Sequence, residues 1–358
     1  MCTYKGRVLT LTLAPALLLV GLNAVSRAEE GSTSATSAAA LHSPQHCDLS
    51  LSLAEMVKIR PPKAAKRYKI SYAMISLAGY FYQGTAYGAV KAAEEAGVDL
   101  NLNASQGFAT QAQQVSNVNN ELSRGIDGLL INPVDVNGAV AAVEDAVAKG
   151  VPVVSIGTLV NTSKADRIVQ DDYTQGIAAA EFVASKLPNG GEGIVMGGPA
   201  NATWALRRVA GFEDGLKKFP NVKISAVTHE NVDPAEGLAR FTNATQAHPK
   251  VDWIYSTYNL QLPPNSVPTK YAKALYVAGG VDPLMVDALK AGTAAAALPD
   301  YAITEGYVGL SNLLRKLNGE KLPSVTCLPN GVVTKDDLSS PDMTSQNLFP
   351  AGWKATGH

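Results

Sequence analysis

The chain has 358 residues, 46% hydrophobic and 17% charged, with a formal net charge of -1. That length can bury a large core in two lobes, and the near-neutral charge excludes the basic field that nucleic acid or an anionic membrane surface requires. Three cysteines and five scattered histidines provide no cluster with metal-ligand spacing, so no metal or other cofactor is expected.

The first 28 residues read as a targeting segment. Lys5 and Arg7 make a basic start, and Val8 to Val20 is apolar apart from Thr10, Thr12 and Pro15. Ser26-Arg27-Ala28 puts small residues where a signal peptidase reads, so cleavage is expected before Glu29. The apolar run is shorter than the ~20 residues that span a bilayer, which favours export over a membrane anchor. Cys2 precedes that run, on the wrong side for a lipoprotein cysteine. Residues 29–46, rich in Ser, Ala and Thr, are expected as a mobile lead, and the stretch to residue 67 as an extension carrying Pro61-Pro62. Cleavage leaves Cys47 and Cys327. An oxidising compartment permits a disulfide between them, and two unpaired thiols are the alternative.

From residue 68 a regular alternation begins. Ile70 to Ile75, Val98 to Leu102, Gly128 to Ile131 and Val151 to Ile156 read as strands. Between them Thr85 to Ala96, Thr110 to Leu122 and Gly138 to Ala148 have helical spacing, each followed by a glycine within three residues (Gly97, Gly125, Gly150). After a short extended piece at 168–172 the pattern restarts. Helices are expected at Gln175 to Leu187, Ala205 to Phe219, Ala235 to Gln246, Leu284 to Ala291 and Ile303 to Leu317. The strands among them are Gly193 to Met196, Val222 to Thr228, Val251 to Tyr255, Leu275 to Ala278 and Ala294 to Leu298. Steps of about 30 residues or slightly fewer are βα units, and continuous apolar strands suit parallel sheets covered on both faces. The fold class is therefore α/β, with two doubly wound parallel-sheet lobes. A ligand is expected in the crevice at the carboxyl ends of their strands.

Several stretches, in order and spacing, resemble the type I periplasmic solute-binding proteins of the ribose/galactose class. They include Gly88 to Gly97, Gly128-Leu129-Leu130-Ile131-Asn132-Pro133, Gly150 to Val154, Arg208-Val209-Ala210-Gly211-Phe212, Ala247 to Asp252 and Leu317 to Lys321. The resemblance runs from about Tyr68 to Val333. The same fold serves lactose-type repressors, but here a targeting segment stands where their helix-turn-helix would. A narrower likeness, at Pro61 to Tyr68, Gly97 to Leu100 and Gly198 to Ala202, is to the periplasmic partner of the trimethylamine N-oxide sensor kinase. The family implies a three-strand hinge, with crossings near Asp171-Asp172, Pro299 to Tyr301 and Pro329 to Val332. One lobe then comprises 68–171 with 301–328 and the other 172–300 with 329–340, leaving 341–358 as a tail.

The resemblance also implies a site. Ser76 and the aromatic run Tyr80, Phe81 and Tyr82 follow the first strand; three consecutive aromatics cannot all point inward. Asn132, Thr158, Asp172, Trp204, Arg208, Tyr258, Asp300 and Tyr301 complete the expected ligand set. Arg208 suits bidentate recognition of paired oxygens. Sugar binders of this class carry an Asp-Arg pair where this chain has Gly157-Thr158, and an aspartate where it has Gly280. Proline at 263, 264 and 268 breaks the helix expected after Tyr258. Those departures favour an amine-type or aromatic solute held by aromatic rings with Asp172 and Asp300, with a sugar or polyol as the alternative. No hydrolase elbow, phosphate loop or dinucleotide fingerprint is present, so no catalysis is expected. The expected molecule is a monomer that captures a small solute by hinge closure. Its expected partner is an ABC permease, or alternatively a sensor kinase, in the inner membrane.

Overall fold

Short strands alternate with helices from Lys69 onward in the computed structural model, which describes Met1, residues 38–107 and residues 109–356. The targeting segment and its cleavage position lie outside the described residues. The order begins α1 (Ala38–Leu41), β1 (Leu49–Ser50), α2 (Leu53–Met56), β2 (Lys69–Met74), α3 (Tyr80–Ala96) and β3 (Asp99–Ala104). It continues α4 (Gln111–Ser123), β4 (Gly128–Ile131), α5 (Val140–Ala148), β5 (Val153–Ile156), β6 (Asp166–Gln170) and α6 (Asp172–Lys186). Next come β7 (Gly191–Met196), α7 (Thr203–Leu216), β8 (Val222–Thr228), α8 (Pro234–Ala247) and β9 (Trp253–Ser256). The chain then forms β10 (Leu275–Gly279), α9 (Pro283–Ala291), β11 (Ala296–Leu298), α10 (Ala302–Leu317), β12 (Val325–Leu328) and α11 (Pro341–Asn347).

Two parallel sheets result. The first runs β1-β12-β6-β5-β4-β2-β3 and the second β11-β10-β9-β7-β8. Apolar side chains on both faces of these strands explain their depth: Tyr72, Met74, Leu129, Leu130, Ile156, Ile194, Met196, Ile254 and Tyr255 are all fully buried. Sequence order reverses at β2, which lies between β3 and β4, and at β7, between β8 and β9. Each reversal sends neighbouring loops apart and opens a crevice at the carboxyl ends of the strands.

Local chemistry sets the helix ends. Asp233 and Asp282 each cap a helix that opens with proline, accepting from the Glu236 and Met285 N–H groups. Glycines let helices touch. A Cβ on Gly88 would sit 1.8 Å from the Ile303 carbonyl oxygen, and one on Gly306 1.9 Å from that of Thr85, so α3 and α10 meet backbone to backbone. Gly211 makes the same approach between α7 and α6, 1.9 Å from the Tyr173 carbonyl oxygen.

The chain passes between the sheets at three places. β6 belongs to the first sheet, but α6 after it packs on α7. β11 belongs to the second, but α10 after it packs on α3. β12 returns to the first, and Val333 then bridges Ala297 of the second. Gln170 ties these passages together, its Nε2 donating to the Pro299 and Pro329 carbonyls.

Two strands lie outside the expected set. β12 sits between Pro323 and Pro329, and β1 is a two-residue edge strand paired with it. Cys47 and Cys327 are joined as a disulfide, with Cα atoms 5.7 Å apart, beside that edge. Within 29–67, the described part makes defined contacts: Arg207 donates to the Ala40 and Ser43 carbonyls, and His42 pairs with Asp214 at 2.8 Å. At the other end the tail folds onto α3. Phe349 stacks on Tyr80, Trp353 meets Tyr87 edge-on, and the Ala355 N–H donates to Gln83. Among the described residues no helix is long and apolar enough to cross a membrane.

Candidate functional site

Both strand-order reversals face one cavity of about 650 Å³. From the first sheet's side it is walled by residues that follow β2, β4 and β5: Ile75, Ser76, Phe81, Tyr82, Asn132, Gly157 and Thr158. The second sheet's side contributes residues that follow β7, β8, β9 and β11, among them Trp204, Arg208, Asn231, Tyr258 and Asp300. Tyr258 reaches across, with its hydroxyl beside the Phe81 backbone. Burial raises the Tyr82 and Tyr258 phenols above their ordinary range, so both present neutral rings.

Arg208 organises the charged floor. It lies one helical turn beyond Trp204 on α7, so both side chains share a face. Its Nε donates to Asp172 at 2.8 Å, one terminal nitrogen to Asp300 at 2.9 Å and the other to the Thr257 carbonyl at 2.9 Å. The guanidinium also stands 5.2 Å from the Trp204 ring centroid. Burial works to lower the Arg208 pKa, but the Asp300 and Asp172 carboxylates outweigh it and keep the group charged. Burial raises Asp172, and Arg208 opposes that rise.

This geometry revises the sequence reading at four points. Asp172, Asp300 and the Trp204 face were expected to receive a cationic solute; the cation they hold is the protein's own Arg208. Arg208 was expected to grip paired ligand oxygens, yet three of its donors are committed within the protein. Tyr80 lies outside the cavity. α3 starts at Tyr80, so helical rotation turns it away from Phe81 and onto Phe349, with ring centroids 4.4 Å apart. Tyr301 is also outside. It is 2% exposed, adopts φ +46 at the start of α10, and its N–H donates to Asn347 in the tail. The other ten expected residues line the cavity.

Gln170 and Glu305 also line it, as do Gln106, Asn201 and Asn231. Glu305, in the first turn of α10, is the consequential omission. A helix-forming glutamate in an apolar run reads as a solvated position, whereas here it is 2% exposed. Burial pushes its carboxyl well above the usual carboxylate range. Asp300 and Asp172 add to the rise, while Arg208 and the Gly157 N–H oppose it.

The sequence profile of the periplasmic binding protein domain matches residues 70–321, most of the chain. The chain belongs to that family. Among curated relatives, the ribose import binding protein of Bacillus subtilis is 29% identical over 219 residues, 58% of this chain and 70% of the relative. Its Escherichia coli counterpart is 26% identical over 263 residues, 71% of this chain and 86% of the relative. A xylitol-binding protein of Mycolicibacterium smegmatis is 24% identical across 42% of this chain and 43% of its own length. The fold matches a sugar transport substrate-binding protein from Bordetella parapertussis at TM-score 0.77, with 19% identity, 84% of this chain and 99% of that one covered. The two ribose relatives are import binding proteins, and the Bordetella parapertussis protein is the substrate-binding protein of a sugar transport system.

Proposed function

We propose that this chain is a periplasmic receptor that captures a small polyhydroxylated solute, a sugar or polyol, and delivers it unaltered to an ABC permease in the inner membrane. The carrying observation is the cavity walled from two parallel sheets, where aromatic faces (Phe81, Tyr82, Trp204, Tyr258) stand among amide and carboxyl groups (Asn132, Asp172, Asn201, Asn231, Asp300). Aromatic faces suit the apolar C–H side of a sugar, and the polar rim suits its hydroxyls. Ribose and xylitol in the names of relatives support the same class. A related solute-binding protein structure from Actinobacillus succinogenes, described with bound D-allose, shares the fold at TM-score 0.72.

The mechanism we infer is closure of two lobes, 68–171 with 301–328 against 172–300 with 329–340, about the passages at 171–172, 299–301 and 329–332. The Arg208 network holds Asp172 and Asp300 from opposite ends of the second lobe, so the polar floor is formed before solute arrives. Solute then bridges Phe81, Tyr82 and Asn132 to Trp204 and Tyr258. It biases the equilibrium by its preference for the closed form. The permease reads that form.

A thermal-shift panel tests the class. Pentoses, hexoses and polyols are compared with methylated amines and small aromatics. A solute that binds only the folded chain adds ~2.7 kcal/mol at 100 times its dissociation constant. A shift from at least one sugar or polyol supports the reading. Shifts confined to methylated amines or aromatics would overturn it.

A further inference from the structure

Three buried polar atoms of the cavity-lining residues have no hydrogen-bond partner within the protein: Asn132 Oδ1, Gln170 Oε1 and Glu305 Oε2. Asn132 Oδ1 and Gln170 Oε1 are acceptors, and Glu305 Oε2 is one when the carboxyl is ionised. The amide orientations are fixed by their nitrogens, since Asn132 Nδ2 donates to the Ile156 carbonyl at 2.9 Å and Gln170 Nε2 to that of Pro299. The cavity's unmet demand is therefore for donors. Leaving a buried acceptor unsatisfied is costly, so a solute is selected for what it donates.

Glu305 shares a corner with the Asn132 amide and an aromatic ring. A Cβ built on Gly157 lies 2.7 Å from Asn132 Nδ2, 3.5 Å from Glu305 Oε2 and 3.6 Å from Phe81 Cζ. Gly157 carries no side chain, so the corner stays open. Arg208, the cation in the lining, is held by Asp172 and Asp300, and Glu305 makes no ion pair among the described residues. A hydroxyl brings one donor and two lone pairs. An ammonium brings three donors and no lone pair. A carboxyl with no cationic partner among the described residues matches the ammonium.

We propose that the solute is an amino-substituted polyol whose ammonium docks at Glu305, with the Asn132 amide and the Phe81 ring beside it. This rests on the polyol reading and narrows it. The groups facing Glu305 are Asp172 on α6, Asp300 after β11, Arg208 on α7 and the Tyr72 phenol on β2. Burial and the two aspartates favour the protonated form of Glu305 when the corner is empty. The incoming ammonium favours the carboxylate. Binding therefore turns the carboxylic acid into a carboxylate paired with the ammonium, and the displaced proton leaves to solvent.

The test uses the full chain and matched pairs: D-glucosamine with D-glucose, D-galactosamine with D-galactose, and 2-amino-1,3-propanediol with glycerol. Titration calorimetry at pH 6.5 is run in two buffers of different ionisation enthalpy. At least one amino member is expected to bind about tenfold or more tightly than its partner, the advantage of a charge-assisted hydrogen bond. It should also release protons. In Glu305→Gln that preference is expected to fall below about threefold and proton release to vanish, with a circular dichroism melt checking that the variant folds. Proton release by the unaltered protein is an independent readout should the variant fold poorly. Neutral members binding at least as tightly in every pair, or amine binding without proton release, would overturn the assignment and leave the polyol reading standing. No binding by any member would count against the polyol reading, and the Glu305 assignment would fall with it.

Discussion

Replacing Arg208 with methionine removes three hydrogen bonds of 2.8, 2.9 and 2.9 Å, two of them to carboxylates, from a residue only 6% exposed. Asp172 and Asp300 are then left facing each other without a countercharge. Breaking a buried ion pair from one side costs about 3–5 kcal/mol. With roughly 2–4 °C lost per kcal/mol in a large domain, melting should fall by about 6–15 °C. The sign of the pH dependence follows from Asp172. Burial already raises its pKa, and removing Arg208 removes the charge that opposes the rise. Asp172 can then take up a proton at mildly acidic pH, so the loss should be smaller at pH 5 than at pH 8. Urea denaturation followed by circular dichroism at both pH values measures this. Lys149→Met is the control: its partner Asp145 is on the surface, and exposed pairs are worth about 0–1 kcal/mol. If Arg208→Met costs no more than Lys149→Met at pH 8, the buried network does not hold the floor of the site.

Gly157→Ala places a methyl 2.7 Å from Asn132 Nδ2 at φ +66, so solute affinity measured by calorimetry should fall at least tenfold. Tyr80→Ala and Phe81→Ala should separate: loss of the Tyr80–Phe349 stack lowers the melting temperature, whereas loss of Phe81 weakens solute binding. Glu305 holds a proton when folded that it loses above its ordinary value of 4.5 when unfolded. Stability should therefore decline as pH rises from about 4.5 toward the raised folded value, and Glu305→Gln should flatten that slope in urea titrations. Replacing Cys47 and Cys327 with serine releases the tie to the β1 edge. It should cost about 2–5 kcal/mol and speed hydrogen exchange across residues 47–51.

The α/β alternation was legible because the central strands are apolar runs buried on both faces and the helices between the first strands are followed by glycine. Val222 to Thr228 and Gly128 to Ile131 coincide with the observed strands to the residue. β1 was not legible. Two residues carry no periodicity, and this edge is defined by pairing Leu49 with Thr326, 277 positions on. The site separated along similar lines. Residues at strand ends, such as Ser76, Asn132 and Tyr258, follow from the topology of the sheets. Tyr80 and Tyr301 did not, because their directions are set by where α3 and α10 begin and by a tail whose docking has no local signal. Glu305 was hidden for the opposite reason. Its helix was expected, but burial of its first turn depends on Gly88 and Gly306 drawing α3 and α10 together. The roles of Asp172, Asp300 and Arg208 needed coordinates, since each was read as facing solute and the three face one another.

The most direct test is a crystal structure with the tightest-binding polyol or amino polyol from the titrations. The account predicts one solute molecule in the 650 Å³ cavity, touched by Phe81 and Asn132 from one side and by Trp204 and Tyr258 from the other, with its bonds unaltered. Solute held by residues of one sheet alone, seated elsewhere on the surface, or recovered as a reaction product would contradict it.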